Sequence, residues 1–108
     1  MTLISDKTHE NISWFKKECS CFDLTIRSVT TDSADYVLLF LGGITTSSSV
    51  EPLIQGLITA LDLRVFLNAS VCNVETLDEA YELMLQGQTV VFVMNQALCY
   101  VVDTRAYP

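Results

Sequence analysis

Apolar and polar residues recur along this chain with two different periods, and the switches between them outline its elements. Ile12, Phe15 and Cys19 fall at i, i+3 and i+7, the spacing of one helical face. A helix is therefore expected from about Asp6 to Cys19, with Ser5 or Asp6 as its N-cap. Phe22 to Val29 then alternates as a strand does, and Thr30 to Asp35 is polar and turn-like. Tyr36 to Leu41 is continuously apolar and runs into Gly42-Gly43, the pattern of a central strand buried on both faces.

A Thr/Ser loop follows from Thr45 to Ser49. Ser48 and Glu51 stand three apart as in a capping box, and Pro52 suits a first helical turn. Val50, Leu53, Ile54, Leu57, Ile58 and Leu61 trace a second helical face. Asp62 to Glu75 is less regular, with a short strand expected at Arg64 to Leu67. Thr76 and Glu79 repeat the capping-box spacing ahead of Leu77, Ala80, Tyr81, Met84 and Leu85 on one helical face, and Gly87 sits where a C-cap glycine belongs. Thr89 to Met94 and Ala97 to Asp103 form two β-rich runs joined at Asn95-Gln96, a hairpin.

Helices placed between groups of strands imply an α/β (α+β) fold: a single mixed β-sheet of about four strands packed with about three helices. With 108 residues the chain has room for one domain, 1–108, and half of its residues are hydrophobic with mean hydropathy +0.36, which excludes disorder. Six Lys+Arg against 13 Asp+Glu give a formal charge of −7, which argues against a nucleic acid or an anionic membrane face as partner. The first residues lack a signal-peptide pattern, and no run of about 18 apolar residues is present, so a cytosolic domain that makes no membrane contact itself is expected. The chain stops soon after a strand, as a natural domain or a cloned fragment would.

Candidate chemistry is sparse. His9 is the lone histidine, and His9-Glu10 lacks the second histidine of a zinc-protease helix. Cys19 and Cys21 could offer two thiolates, but only His9, Cys72 and Cys99 remain to complete a site. Reduced core thiols and no metal are the expectation. Ser47, Ser48 and Ser49 lack a nucleophile-elbow context, and no phosphate-binding glycine loop follows Gly42-Gly43. Glu75, Asp78, Glu79 and Glu82 fit a solvated helix start. No catalytic residue and no cofactor are expected, and the chain does not read as an enzyme.

Three segments together are similar to a known family. Glu10-Asn11-Ile12-Ser13-Trp14-Phe15-Lys16-Lys17 followed by Asp23-Leu24-Thr25-Ile26-Arg27 resembles the opening helix and strand of GerA-type spore germination receptor A subunits. Tyr36 to Ile44 with Val50-Glu51-Pro52-Leu53-Ile54 resembles the family's apolar strand, loop and helix. Leu85-Gln86-Gly87-Gln88-Thr89-Val90-Val91-Phe92-Val93 resembles its L-x-G-x-x-[VL]-x-[FL]-[IV] signature, which leads to a hairpin and a basic-Pro segment, here Asp103 to Pro108. Asn95-Gln96 departs from the family's usual Asp-Gly-type turn.

The resemblance implies the first soluble subdomain of a receptor A subunit, on the core face of the spore inner membrane. It implies an assembly or signal-coupling module in nutrient-triggered germination. The implied partners are B and C subunits, further A-subunit copies and the second subdomain of the same subunit. A free-standing regulator of the anti-sigma-antagonist type and a small-molecule sensor are the alternative readings. Arg27, Asp103 and Arg105 are the candidate interaction residues. Arg27 shares a strand face with Thr25 and Val29, where a guanidinium calls for a carboxylate, such as that of Asp103, or for an interface.

Overall fold

The structure, a computed structural model, describes residues 2–19, 23–31, 35–42 and 71–102. Its elements are α1 (Thr8–Glu18), β1 (Leu24–Thr30), β2 (Asp35–Leu41), β3 (Val71–Val74), α2 (Leu77–Leu85), β4 (Thr89–Val93) and β5 (Cys99–Val102). The strands form one sheet in the order β1-β2-β4-β5-β3. Every pairing is antiparallel, and Arg27, Leu38, Val91, Tyr100 and Asn73 form one continuous row across it.

The α+β class agrees with the sequence pattern, but the sheet differs in detail. Among the described residues it has five strands rather than about four and is antiparallel rather than mixed. The additional strand is β3, inside the stretch that reads as irregular. Four residues are too few to show a period, so pairing with β5 makes Val71–Val74 a strand. Two of the three expected helices are α1 and α2. The loop at 45–49, the helix over 50–61 and the short strand at 64–67 lie outside the described residues.

Strands β2 and β4 form the centre, and their side chains are buried on both faces. Tyr36 through Leu41 and Thr89 through Val93 are all buried, as the unbroken apolar runs require. One face carries Val37, Leu39, Val90, Phe92, Cys99 and Val101 against Phe15 of α1 and Leu77, Ala80 and Met84 of α2. The other carries Val29, Tyr36, Leu38, Phe40, Val91, Val93 and Val102.

Helix α1 buries Thr8, Asn11, Phe15 and Cys19, a stripe at i, i+3, i+7 and i+11. Its N-cap is Lys7, which makes no side-chain cap bond, rather than Ser5 or Asp6. Ser5 acts one step earlier. Its Oγ accepts from the Lys7 N–H at 3.0 Å and donates to Glu10 Oε1 at 3.0 Å. Asn11, 1% exposed, receives the Ser5 N–H at Oδ1 and donates from Nδ2 to the Ser5 carbonyl, both at 2.9 Å. Backbone groups just ahead of the helix are thus satisfied by a buried amide instead of a cap hydroxyl.

Helix α2 follows its sequence signals closely. Thr76 Oγ1 accepts from the Glu79 N–H at 3.2 Å. Gly87, at φ 98°, takes the left-handed conformation that ends the helix. The Gly87 N–H donates to Met84 O at 3.0 Å and the Gln88 N–H to Leu83 O at 3.3 Å, closing a Schellman motif. Leu85, expected on the apolar face, is instead 38% exposed.

The hairpin is looser than a two-residue turn. Five residues, Met94 to Leu98, connect β4 to β5. The Gln96 N–H donates to Val93 O at 3.2 Å, and Asn95 adopts φ 63°. Asn tolerates that left-handed conformation, and Gln at the next position is not required to share it. Asn95, and not the Asn95-Gln96 pair, therefore sets the turn.

Four aromatic rings link the helices to the sheet. Phe15 meets Phe92 edge-on at 5.9 Å between centroids, and Trp14 meets Phe15 at 5.2 Å and Tyr81 at 5.8 Å. Phe15 is fully buried at the centre of this group. Phe15→Ala is expected to lower unfolding free energy by about 3–5 kcal/mol. Urea denaturation followed by tryptophan fluorescence measures this directly, and a loss below about 1 kcal/mol would mean that Phe15 is not the helix–sheet plug.

Candidate interaction surface

Arg27 sits in the middle of β1, half-buried, opposite Leu38 of β2. It shares the sheet face of Val29 and Leu38, while Leu24 and Ile26 pack with the helix-side core. Asp103 and Arg105 lie outside the described residues. Strand β5, which precedes Asp103, is separated from β1 by β2 and β4, about 14 Å at the usual strand spacing.

Strand β1 is one edge of the sheet. The Gly42 N–H donates to the Asp23 carbonyl at 2.8 Å, which sets the phase of the ladder. Leu24, Ile26, Ser28 and Thr30 therefore turn their backbone groups away from β2. Among the described residues no strand pairs with that side. Such an edge presents a row of donors and acceptors suited to contact with another polypeptide.

At the hairpin end of the sheet, separate elements are tied together. Thr8 Oγ1 of α1 accepts from the Asn95 N–H at 3.0 Å, and the Met94 N–H donates to Asp35 O at 2.9 Å. Thr2 to Ile4 lies beside the β3–α2 junction, with Leu3 bridged to Thr76. The Ile4 N–H donates to Glu75 O at 3.3 Å, and the Leu77 N–H to Thr2 O at 2.8 Å. Asp78 Oδ2 receives the Thr2 N–H at 3.0 Å. Neither this strap nor the Asn11 bonds to Ser5 could be read from periodicity, because both join residues through backbone groups. The Glu10-Asn11 pair, which belongs to the family resemblance, is the sequence signal for Asn11.

The acidic residues serve the start of α2: Asp78 and Glu79 stand in its first turn, and Glu75, Glu79 and Glu82 are exposed. His9 is exposed on α1, as are Lys16 and Lys17. Among the described residues no three His, Cys, Asp or Glu side chains are grouped to hold a metal ion. Cys21 lies outside the described residues. Every buried side-chain nitrogen or oxygen among the described residues has a hydrogen-bond partner. The described surface offers a strand edge and charged side chains. It shows no converging set of reactive groups.

Cys19 and Cys99 are free and buried. Burial pushes the Cys99 thiol far above its ordinary range, and the charge of Glu79 adds to the shift. Burial and then Glu18 raise Cys19 in the same direction. Both thiols stay protonated at neutral pH and are poor nucleophiles. In the unfolded chain they ionise near about pH 8.5. Their stabilising contribution is therefore complete below that pH and is lost as pH rises toward the folded values. Stability should fall more steeply above about pH 9 in the natural chain than in Cys99→Ala. Denaturation across that range tests this, and equal slopes would remove Cys99 as the cause.

No protein-family model matches the chain. By sequence it is 25% identical over 114 residues to stage V sporulation protein AF of Bacillus subtilis (strain 168), a match that takes in 92% of this chain. The chain spans 23% of the length of that relative. By structure it matches the crystal structure of the N-terminal domain of the A subunit of the Bacillus megaterium spore germinant receptor GerK3. That match has a TM-score of 0.79 and 14% identity, and covers 98% of each chain. The five-stranded sheet with its helices is thus the fold of the N-terminal domain of a spore germinant receptor A subunit.

Proposed function

We propose that this domain acts in spore germination as an assembly or signal-coupling module of a germinant receptor subunit. The observation that carries the reading is the end-to-end match to a receptor A-subunit domain, and the likeness to a sporulation protein supports it. The described surface suits such a role, because it offers an edge strand and exposed charge. In this reading the domain works by binding and not by catalysis. It faces the spore core, and it meets B and C subunits, other A-subunit copies and the second subdomain of its own chain. Among the described residues no helix is long and apolar enough to cross a membrane.

The test is an in-frame deletion of this segment from the gene in its spore-forming host. Spores should form normally but lose their response to nutrient, seen as retained heat resistance and optical density. Normal nutrient response with the truncated protein at normal level would refute the proposal. So would a block in sporulation itself.

Arg27 carries the finer part of the reading. As an assembly residue, Arg27→Ala should cost the isolated domain less than about 1 kcal/mol, the range for an exposed ion pair. The same substitution should slow nutrient-triggered germination of spores carrying it. A loss of about 3–5 kcal/mol would instead identify an internal buried pair. Normal stability together with normal germination would also count against assembly.

A further inference from the structure

We propose that the outer edge of β1 pairs with itself: Asp23-Leu24-Thr25-Ile26-Arg27 meets the same segment of a second copy of this chain, antiparallel, about a two-fold axis at Thr25. The segment is a palindrome in which the charge changes sign. Laid against its own reverse, it sets Asp23 opposite Arg27, Leu24 opposite Ile26 and Thr25 opposite itself. The charged pair and the apolar pair each occur twice, once on either side of the axis.

Backbone phase and side-chain faces both fit this register. Leu24 and Ile26 turn their backbone groups away from β2, so Leu24 of one copy and Ile26 of the other exchange both of their bonds. Asp23–Arg27 and Thr25–Thr25 are then the close pairs without backbone bonds. A Cβ at Gly42 would lie 2.7 Å from Asp23 Oδ2 and 3.3 Å from Thr25 Oγ1, so these two side chains share a face. Arg27 follows on that face by alternation, while Leu24 and Ile26 pack with the helix-side core. A two-fold axis normal to the sheet keeps each face continuous across the junction. Carboxylate and guanidinium therefore meet on one side, and Leu24 meets Ile26 on the other. Opposite charges directly across a pair are favourable and like charges are not. An axis at Arg27 would oppose two guanidinium groups, and one at Ile26 would set both charges against neutral residues. Charge selects Thr25.

The two edges of the sheet are also built differently. Strand β3 is four residues long, and the Leu3–Thr76 bridge flanks its end. Strand β1 runs for seven residues in unbroken register with β2, and it contains no proline, glycine or lysine. Bulges, prolines and lysines are the usual means of keeping an edge from pairing, and β1 has none of them. The longer, flatter edge is the one that carries the palindrome. This proposal deepens the assembly reading of Arg27 and rests on it, naming Asp23 of a second copy as the partner. Dimerisation is measured without spores, so the two can fail separately. A monomeric chain whose Arg27→Ala spores germinate slowly refutes self-pairing alone, and a dimer with normal germination of those spores refutes the germination role alone.

Charge exchange tests the pairing. Asp23→Arg and Arg27→Asp each set like charges opposite one another on both sides of the axis. Sedimentation equilibrium over a concentration series should show a reversible dimer for the natural chain and dimerisation at least about tenfold weaker for either variant. The double variant Asp23→Arg/Arg27→Asp should regain the dimer, and so should an equal mixture of the two single variants, whose charges complement each other. Circular dichroism checks that every variant is folded, and the rescue separates lost pairing from lost structure. Thr25→Cys reports the register, because a close pair brings the two Cα atoms to about 4.5 Å, within disulfide range. On oxidation it should join two copies through position 25, identified by peptide mapping. The proposal is overturned by a natural chain that stays monomeric, by a dimer that neither single variant weakens, or by absence of the link at position 25.

Discussion

Complete burial of β2 and β4 on both faces is the constraint from which the rest of this architecture follows. Leu38, Leu39, Val90, Val91 and Phe92 are all fully buried, although neighbours along each strand point to opposite sides. Each such side chain contributes about 1.5–3 kcal/mol when removed from water, but only if something covers it. Two central apolar strands thus demand cover on two faces and neighbours on two edges. Strands β1 and β5 supply the neighbours, and α1 and α2 cover one face. Phe15 is the point where this cover is anchored, since its ring meets Phe92 of the sheet and Trp14 and Tyr81 of the helical layer.

Polar interactions then decide how that layer is fastened. At the hairpin end, Thr8 Oγ1 accepts a hydrogen bond from the Asn95 N–H, Asn11 holds the backbone of Ser5, and Thr2 to Ile4 borders the start of α2. These bonds contribute modestly to net stability, because unfolding replaces each of them with water. Their larger effect is positional. They fix where α1 begins and how it sits against the hairpin, while apolar packing alone would tolerate small slides of the helix. Tyr81 adds a link toward the other end of α1, its hydroxyl reaching the Glu18 carbonyl at 3.4 Å.

The same organisation accounts for the kind of work the domain is suited to. Its described thiols are sealed in the core, and its polar buried groups are spent on structure. Among the described residues, edge strand β1 and the charged helix surfaces are accessible.

The sequence by itself determined the elements whose signals are local or periodic. The apolar run at Tyr36–Leu41, the stripe through Phe15 and Cys19, the Thr76–Glu79 cap and Gly87 each depend on residues within a few positions of one another, so their structure was readable before any contact was known. The face of Arg27 followed from strand alternation in the same way. Only the tertiary structure decided what depends on distant partners. Val71–Val74 is a strand because β5 lies beside it, and the sheet is antiparallel throughout because of chain reversals that side-chain periods do not encode. Ser5 gave up the cap position because Asn11, six residues on, could reach its backbone. Thr2 finds Asp78 across 76 positions of chain, and no local pattern carries that information. Periodicity specifies which face of an element seeks cover. The identity of the cover is settled by packing, when backbone groups far apart in sequence meet and bond.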